Sequence, residues 1–178
     1  MVCMGVFHQA HLARCLLIGT LIGVLVIGCK VNYGFTGADI PSGAKSVTVE
    51  LFDARAPLAT PQVAQIVTET LRDLMQAQTP LALAPQGGDL VYNGTLVGYD
   101  VQPVAIQANE TAALNRLTIR VDVEYTNELE PMKNSRFSVS RFADYDSNQD
   151  LVQVEAELVR TISDQLVQDI FDRTLGNW

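Results

Sequence analysis

Residues 115–127 read NRLTIRVDVEYTN, and apolar and polar side chains alternate along this stretch. The apolar side chains occupy the odd positions: Leu117, Ile119, Val121, Val123 and Tyr125. The even positions between them carry Thr118, Arg120, Asp122 and Glu124. Strict alternation is typical of a β-strand that buries one face and leaves the other exposed. The stretch therefore predicts a half-buried strand with charged residues on its outer face.

Two more strands are predicted on either side of this one. Residues 89–104 have apolar residues first at even and then at odd positions: Leu90, Tyr92 and Leu96, then Tyr99 and Val101. The change falls beside Gly98, which predicts a β-bulge. Residues 136–145 form the next strand, and its apolar residues are Phe137, Val139 and Phe142. The three strands are expected to form a meander.

A strand and a helix precede the meander. The first strand has its apolar residues at Val47, Val49 and Leu51. The Thr-Pro pair at 60–61 supplies an N-cap and a proline at the first helical position. An amphipathic helix is predicted from there to about Gln76, because apolar residues recur at spacings of three and four. Residues 81–84 then form a short extended piece.

A second helix is predicted near the end of the chain. Ser147 with Asp150 three residues later resembles a capping box, and Gly176 ends the helix. Its apolar stripe is Leu151, Val154, Leu158, Ile162, Leu166 and Ile170. The order β-α-β-β-β-β-α predicts an α+β fold. In it, two helices pack on one face of a mixed, mostly antiparallel sheet of four to five strands.

Composition favours one globular domain and excludes several classes of protein. Of the 178 residues, 48% are hydrophobic, and the formal charge is −8. This balance argues against intrinsic disorder. The excess of acidic residues argues against nucleic acid as a partner, because neutralising phosphates requires a basic surface.

The cysteines and histidines are confined to the first 29 residues: Cys3, Cys15, Cys29, His8 and His11. Within this segment, the apolar run 15–27 has the length of a secretory signal core and is too short to span a bilayer comfortably. It ends in LVIGC at residues 25–29, which resembles the bacterial lipobox. In lipobox proteins the thiol receives a diacylglycerol, and the new amine receives an acyl chain such as palmitate. An ordinary signal peptide or a single-pass anchor is the alternative interpretation.

The predicted domains are a signal peptide at 1–28, a lipidated tether at 29–45 and one α+β domain at 46–178. The mature chain would contain no histidine and no free thiol. We therefore expect no catalytic residues of the triad type, no metal site and no cofactor. A hydrolase with paired carboxylates is the remaining enzymatic alternative. The nearest pair, Asp144 and Asp146, is better explained as part of the turn before the last helix.

From about residue 45 to residue 175 the chain resembles the LptE family of lipopolysaccharide-assembly lipoproteins, in a version like that of the Bacteroidetes. The resemblance depends on the lipobox, on the first strand and helix, and on the pairing of RLTIRVDVEYTNE with FSVSRFADYDS at 116–128 and 137–147. It implies a non-enzymatic outer-membrane lipoprotein, anchored on the periplasmic side. Such a protein plugs the LptD barrel, helps it assemble and contacts lipopolysaccharide. An adaptor for another envelope machine, such as a peptidoglycan-synthase activator or a transporter auxiliary, is the alternative function.

The resemblance also suggests site residues. Basic side chains near a hairpin tip and on the next strand contact lipopolysaccharide in the family. The corresponding tip here has no basic residue, and Ile106, Gln107, Ala108 and Asn109 are instead predicted to contact the barrel. The lipopolysaccharide-binding candidates are Arg116, Arg120, Arg136 and Arg141. The competing interpretation is that these charges merely solvate the outer face of the sheet.

Overall fold

The computed structural model describes residues 38–104 and 114–176. Four strands and one helix come first: β1 (Ser46–Val49), β2 (Asp53–Ala54), α1 (Pro61–Gln78), β3 (Ala82–Leu83) and β4 (Leu90–Val104). They are followed by β5 (Leu114–Asn127), a 3-10 turn (Pro131–Lys133), β6 (Ser135–Asp146) and α2 (Leu151–Leu175). Every predicted element is present. Strand β2 was not predicted, because two residues are too few to show a pattern of alternation.

The strands form one mixed sheet in the order β3-β1-β4-β5-β6, with β2 paired to β4. Strand β1 runs parallel to β3 and β4, and β2 also runs parallel to β4. Strands β4, β5 and β6 are antiparallel, as a meander requires. The register between β4 and β5 shifts between Leu96 and Gly98, which confirms the predicted bulge.

Both helices pack on the same face of this sheet and on each other. The side chains between the layers form a single hydrophobic core. Its largest fully buried members include Tyr92, Leu71, Met75, Leu96, Ile119, Ile162, Leu166 and Ile170. The odd positions of β5 are all buried there, from Leu117 to Tyr125. The predicted α+β sandwich is therefore confirmed.

Two local predictions are wrong, and one apolar residue of β6 lies outside the core. Leu51 is 63% exposed, because the chain leaves β1 after Val49 and turns Phe52 inward instead. Phe142 is 46% exposed, because its register partner is Thr118 on the outer face of β5. The N-cap of α2 is Asp150, whose carboxylate accepts the Val152 backbone N–H at 3.1 Å, so Ser147 is not the capping residue.

The segment before β1 joins the domain at the C-terminal end of α2. Ala38 forms an antiparallel bridge with Gly176, and the Asp39 backbone N–H donates to the Leu175 carbonyl at 2.6 Å. Ile40 and Ala44 pack partly buried against the core. Residues 38–45 of the predicted tether therefore lie against the domain. Over the ranges 38–104 and 114–176, no helix is both long and apolar enough to cross a bilayer.

Candidate functional site

The face of β4, β5 and β6 that the helices leave uncovered is the candidate functional surface, and we call it the open face. In β5 it is formed by the even positions from Arg116 to Glu124. Register places these residues opposite Gln102, Asp100, Gly98, Thr95 and Asn93 of β4. On the other side they lie opposite Asp144, Phe142, Ser140, Ser138 and Arg136 of β6.

Arg116 is held by two neighbours on β6. Its Nε and Nη2 atoms donate to the two carboxylate oxygens of Asp144 at 2.7 and 2.8 Å. The guanidinium carbon also lies 3.6 Å from the centroid of the Phe142 ring. The hydrogen bonds from Arg116 lower the pKa of Asp144 below its usual value, and the same contact raises the pKa of Arg116. This fork-to-fork pairing fixes the orientation of the guanidinium.

Arg120 and Arg136 differ in how their charges are satisfied. Arg136 donates through Nη2 to the Glu124 carboxylate of the neighbouring strand. Arg120 lies between Gly98 and Ser140 and is exposed. In the described part of the chain it forms no ion pair. Its guanidinium is therefore available to an external anion without breaking an internal contact.

Arg141 lies on the other side of the sheet. Its register partner is Ile119, which is fully buried beneath the helices. The Nε and Nη2 atoms of Arg141 donate to the Asp169 carboxylate of α2, both at 2.6 Å, and this contact raises the pKa of Arg141. The structure thus brings Arg116, Arg120 and Arg136 together on the open face and separates Arg141 from them.

A broad depression of about 590 Å³ lies at one end of the open face. Its lining includes Glu50, Leu51, Asp53, Asn93, Thr95, Asp122, Glu124 and Arg136. The sequence did not predict this feature, because Glu50 and Asp53 approach β5 only through the path of β4 between them. Among the residues with described positions, no cluster of three or more metal-ligating side chains occurs.

The open face carries more carboxylates than arginines. The acidic residues at its positions on the three strands are Asp100, Asp122, Glu124, Asp144 and Asp146, against the three arginines. The net charge of the open face is therefore −2. An anion would be repelled by the face as a whole and could bind only by contacting the arginines directly. Such a surface favours contacts at defined positions over diffuse electrostatic attraction.

The tyrosines whose pKa values are raised belong to the core and not to the open face. Burial raises the pKa of Tyr92, whose hydroxyl lies 2.8 Å from the Thr174 hydroxyl. Burial and the bond to Glu155 raise the pKa of Tyr99. Burial also raises the pKa of Tyr125 to about 12. These phenols stay protonated at neutral pH and serve packing beneath the helices.

Two groups of predicted site residues lie outside the described ranges. Cys29 precedes residue 38, and Ile106, Gln107, Ala108 and Asn109 fall between β4 and β5. The described ends of those strands, Val104 and Leu114, are paired with each other.

Comparison with known proteins yields one family match. The family model described as LptE, lipopolysaccharide-assembly, matches residues 44–174. This range begins two residues before β1 and ends one residue before the end of α2, so it covers all the strands and both helices. No curated protein sequence matches the chain at a significant level.

Several solved structures are similar at low sequence identity. A minor lipoprotein from Acinetobacter baumannii is 18% identical, with 73% of this chain and 91% of that chain covered and a TM-score of 0.46. The PelC dodecamer subunit from Paraburkholderia phytofirmans is 12% identical, with 72% and 92% covered and a TM-score of 0.41. Lipoprotein GNA1162 from Neisseria meningitidis is 14% identical, with 70% and 99% covered and a TM-score of 0.38.

Proposed function

The chain belongs to the LptE family of lipopolysaccharide assembly, a non-enzymatic family, and we propose that it acts as the accessory plug of an LptD-type outer-membrane barrel. In this role it helps the barrel assemble and contacts lipopolysaccharide on its way through. The observation that carries the proposal is the match over 44–174, which covers nearly all of the α+β domain. It favours this function over an adaptor of another envelope machine.

The proposed anchor is an acylated Cys29 at the start of the mature chain. The apolar run ending in Gly28-Cys29 supports it, and residues 1–28 would be removed as a signal peptide. Two or more acyl chains hold a protein stably on a membrane. Residue 30 is lysine and no acidic run follows, so we propose the periplasmic leaflet of the outer membrane as the location.

Within the open face we propose Arg120 as the principal lipopolysaccharide contact. Its guanidinium has no internal carboxylate partner among the described residues, whereas Arg116 and Arg136 each have one. A phosphate that engaged those two arginines would have to compete with Asp144 and Glu124. Arg141 would contribute little, because Asp169 holds it toward α2. The hairpin tip with residues 106–109 is proposed to contact the barrel.

Charge reversal at Arg120 tests this assignment. Arg120→Glu should weaken lipopolysaccharide binding about tenfold or more, because a charge-assisted contact to phosphate is replaced by repulsion. The effect should be largest at low ionic strength, where charges are least screened. Binding is measured with the purified protein at low and at physiological salt, and barrel association is measured by copurification, which should be unchanged.

Arg160→Glu is the matched control, because Arg160 is an exposed arginine on α2, on the helical side of the domain. It changes the net charge equally and should leave binding unaltered. Deleting residues 106–109 should have the reverse effect of Arg120→Glu, with loss of barrel association and retained lipopolysaccharide binding. Equal affinities for Arg120→Glu, Arg160→Glu and the wild type at low salt would mean that the open-face arginines only solvate the sheet.

A further inference from the structure

The turn between β5 and β6 lies at the end of the domain where the N-terminal segment enters. Ala38 and Asp39 bind the last residues of α2, and the segment then passes Gly43. At Gly43, a side-chain position would lie 3.9 Å from the Leu129 Cδ1 atom. Leu129 belongs to the stretch 127–134, which connects the two strands and which we call the β5–β6 turn. The N-terminal segment and this turn are therefore neighbours.

The β5–β6 turn is tied together by its own hydrogen bonds. The Asn127 side-chain oxygen accepts the Leu129 and Glu130 backbone N–H groups at 3.0 and 2.8 Å. The Asn134 side-chain oxygen accepts the Asn127 N–H at 2.7 Å. Lys133 donates its backbone N–H to the Glu130 carbonyl at 2.9 Å. These bonds fix the backbone of the turn without any contribution from Met132.

Two apolar side chains project from this fixed backbone. Met132 is 100% exposed and Leu129 is 43% exposed. A single exposed apolar residue on a surface is ordinary. Here, however, the internal hydrogen bonds fix the backbone on both sides of Met132, and its flexible side chain lies fully in solvent. Presenting it in this way adds nothing to the stability of the domain.

The length of the preceding chain determines what this end can reach. Eight residues separate Cys29 from Ala38, and a fully extended chain spans about 3.3–3.6 Å per residue, or roughly 30 Å in all. The start of α2 lies roughly 36 Å from the end of that helix where Ala38 and Asp39 bind, because α2 has 25 residues and rises about 1.5 Å per residue. A bilayer that held a lipid at Cys29 would thus be within easier reach of the β5–β6 turn than of the start of α2.

We propose that the β5–β6 turn rests on the phospholipid surface, with Met132 and Leu129 inserted among the headgroups. The proposal depends on the acylation of Cys29 put forward above. The turn carries one net negative charge, because Lys133 pairs with Glu130 at 3.1 Å and Glu128 adds a second carboxylate. Contact should therefore be stronger with zwitterionic than with strongly anionic lipid.

Tryptophan fluorescence tests the contact in the full lipidated protein. Trp178 is the only tryptophan and is replaced by Phe, and Met132→Trp then reports on the turn. Val152→Trp is the matched control, because Val152 is an exposed apolar residue at the start of α2. On phosphatidylethanolamine-rich vesicles, the emission of Trp at 132 should shift to the blue. Brominated lipid should quench it several-fold more than Trp at 152.

Separate measurements distinguish the membrane contact of the turn from the acylation of Cys29. Intact mass and vesicle flotation report acylation, and Cys29→Ser should abolish both the added mass and flotation. A protein that is acylated and floats, but whose Trp at 132 is quenched no more than Trp at 152, would overturn the contact and leave the anchor intact. Emission of Trp at 132 that changes only when a copurified barrel is present would also overturn it, in favour of a protein surface.

Discussion

Replacing Gly94 with alanine should displace a buried aromatic ring. Gly94 lies on the helical side of β4, and a Cβ atom there would lie 2.4 Å from the Cδ2 and Cε2 atoms of Phe52. Phe52 is 2% exposed, and its backbone N–H donates to the Thr68 hydroxyl of α1 at 3.0 Å. Because an aromatic ring cannot bend away, either the ring leaves its site or the β1–β2 segment shifts.

The magnitude follows from the two possible responses. Overpacking a core typically costs about 1–3 kcal/mol. Losing the burial of a phenylalanine side chain costs roughly 1.5–3 kcal/mol. We therefore expect Gly94→Ala to lower the free energy of unfolding by about 2–3 kcal/mol. Urea titration of the mature protein, followed by circular dichroism, measures this change.

A control variant and a double-mutant cycle make the assignment specific. Gly98→Ala places its Cβ 3.1 Å from the Arg120 Cβ on the exposed side of the same strand, and should cost clearly less. Phe52→Ala removes the obstructing ring. Combined with Gly94→Ala it should therefore destabilise by at least about 1 kcal/mol less than the sum of the single changes. Additive effects, or a Gly94→Ala protein as stable as the wild type, would refute the proposed contact.

Two further predictions concern the core and the hydrogen bonds between the starts of β1 and β4. Ile162→Ala should lower the free energy of unfolding by roughly 2–5 kcal/mol, because Ile162 is fully buried in α2. Gln165→Ala is the control and should cause no such loss, because Gln165 is exposed on the same helix. Equal melting temperatures for the two variants would mean that α2 is not packed. Asp89 accepts the backbone N–H groups of Lys45 and Ser46 and the Ser46 hydroxyl, and these bonds lower its pKa. Its contribution to stability should be fully present above its unfolded pKa of about 3.9 and should be lost as pH falls through the lower folded value. The difference in the free energy of unfolding between wild type and Asp89→Asn is measured from pH 7 to pH 3 and should shrink below about pH 3.9. A pH-independent difference would contradict the role of these hydrogen bonds.

The sequence predicted the fold well where a strand has one buried and one exposed face. The odd positions of β5 are apolar and buried, and the bulge at Gly98 follows directly from the change of phase in β4. Leu51 was wrongly predicted to continue the apolar positions of β1. The turn after Val49 depends on pairing with β4, and the pattern of apolar residues within β1 contains no information about that pairing. Phe142 is exposed because Phe137 and Val139 assign the odd positions of β6 to the core, and Phe142 occupies an even position.

The candidate site was only partly predictable for the same reason. Alternation correctly placed Arg116 and Arg120 on the face opposite Leu117 and Ile119. The phase of β6 assigns Arg141 to the helical side, where Asp169 binds it. That partner lies 28 residues away and is brought close only by the packing of α2 on the sheet. The ion pairs of Arg116 and Arg136 likewise depend on strand register, which the sequence leaves undetermined.

Affinity purification of the tagged, lipidated protein from outer membranes tests whether the protein acts with an LptD-type barrel. The protein is extracted in mild detergent without cross-linking, and everything that copurifies is identified and quantified by mass spectrometry. We expect that the barrel that inserts lipopolysaccharide is recovered in amounts comparable to the tagged protein, and that Arg120→Glu does not reduce its recovery. Recovery of a different envelope complex, with that barrel at background level, would refute the proposed role as a barrel plug.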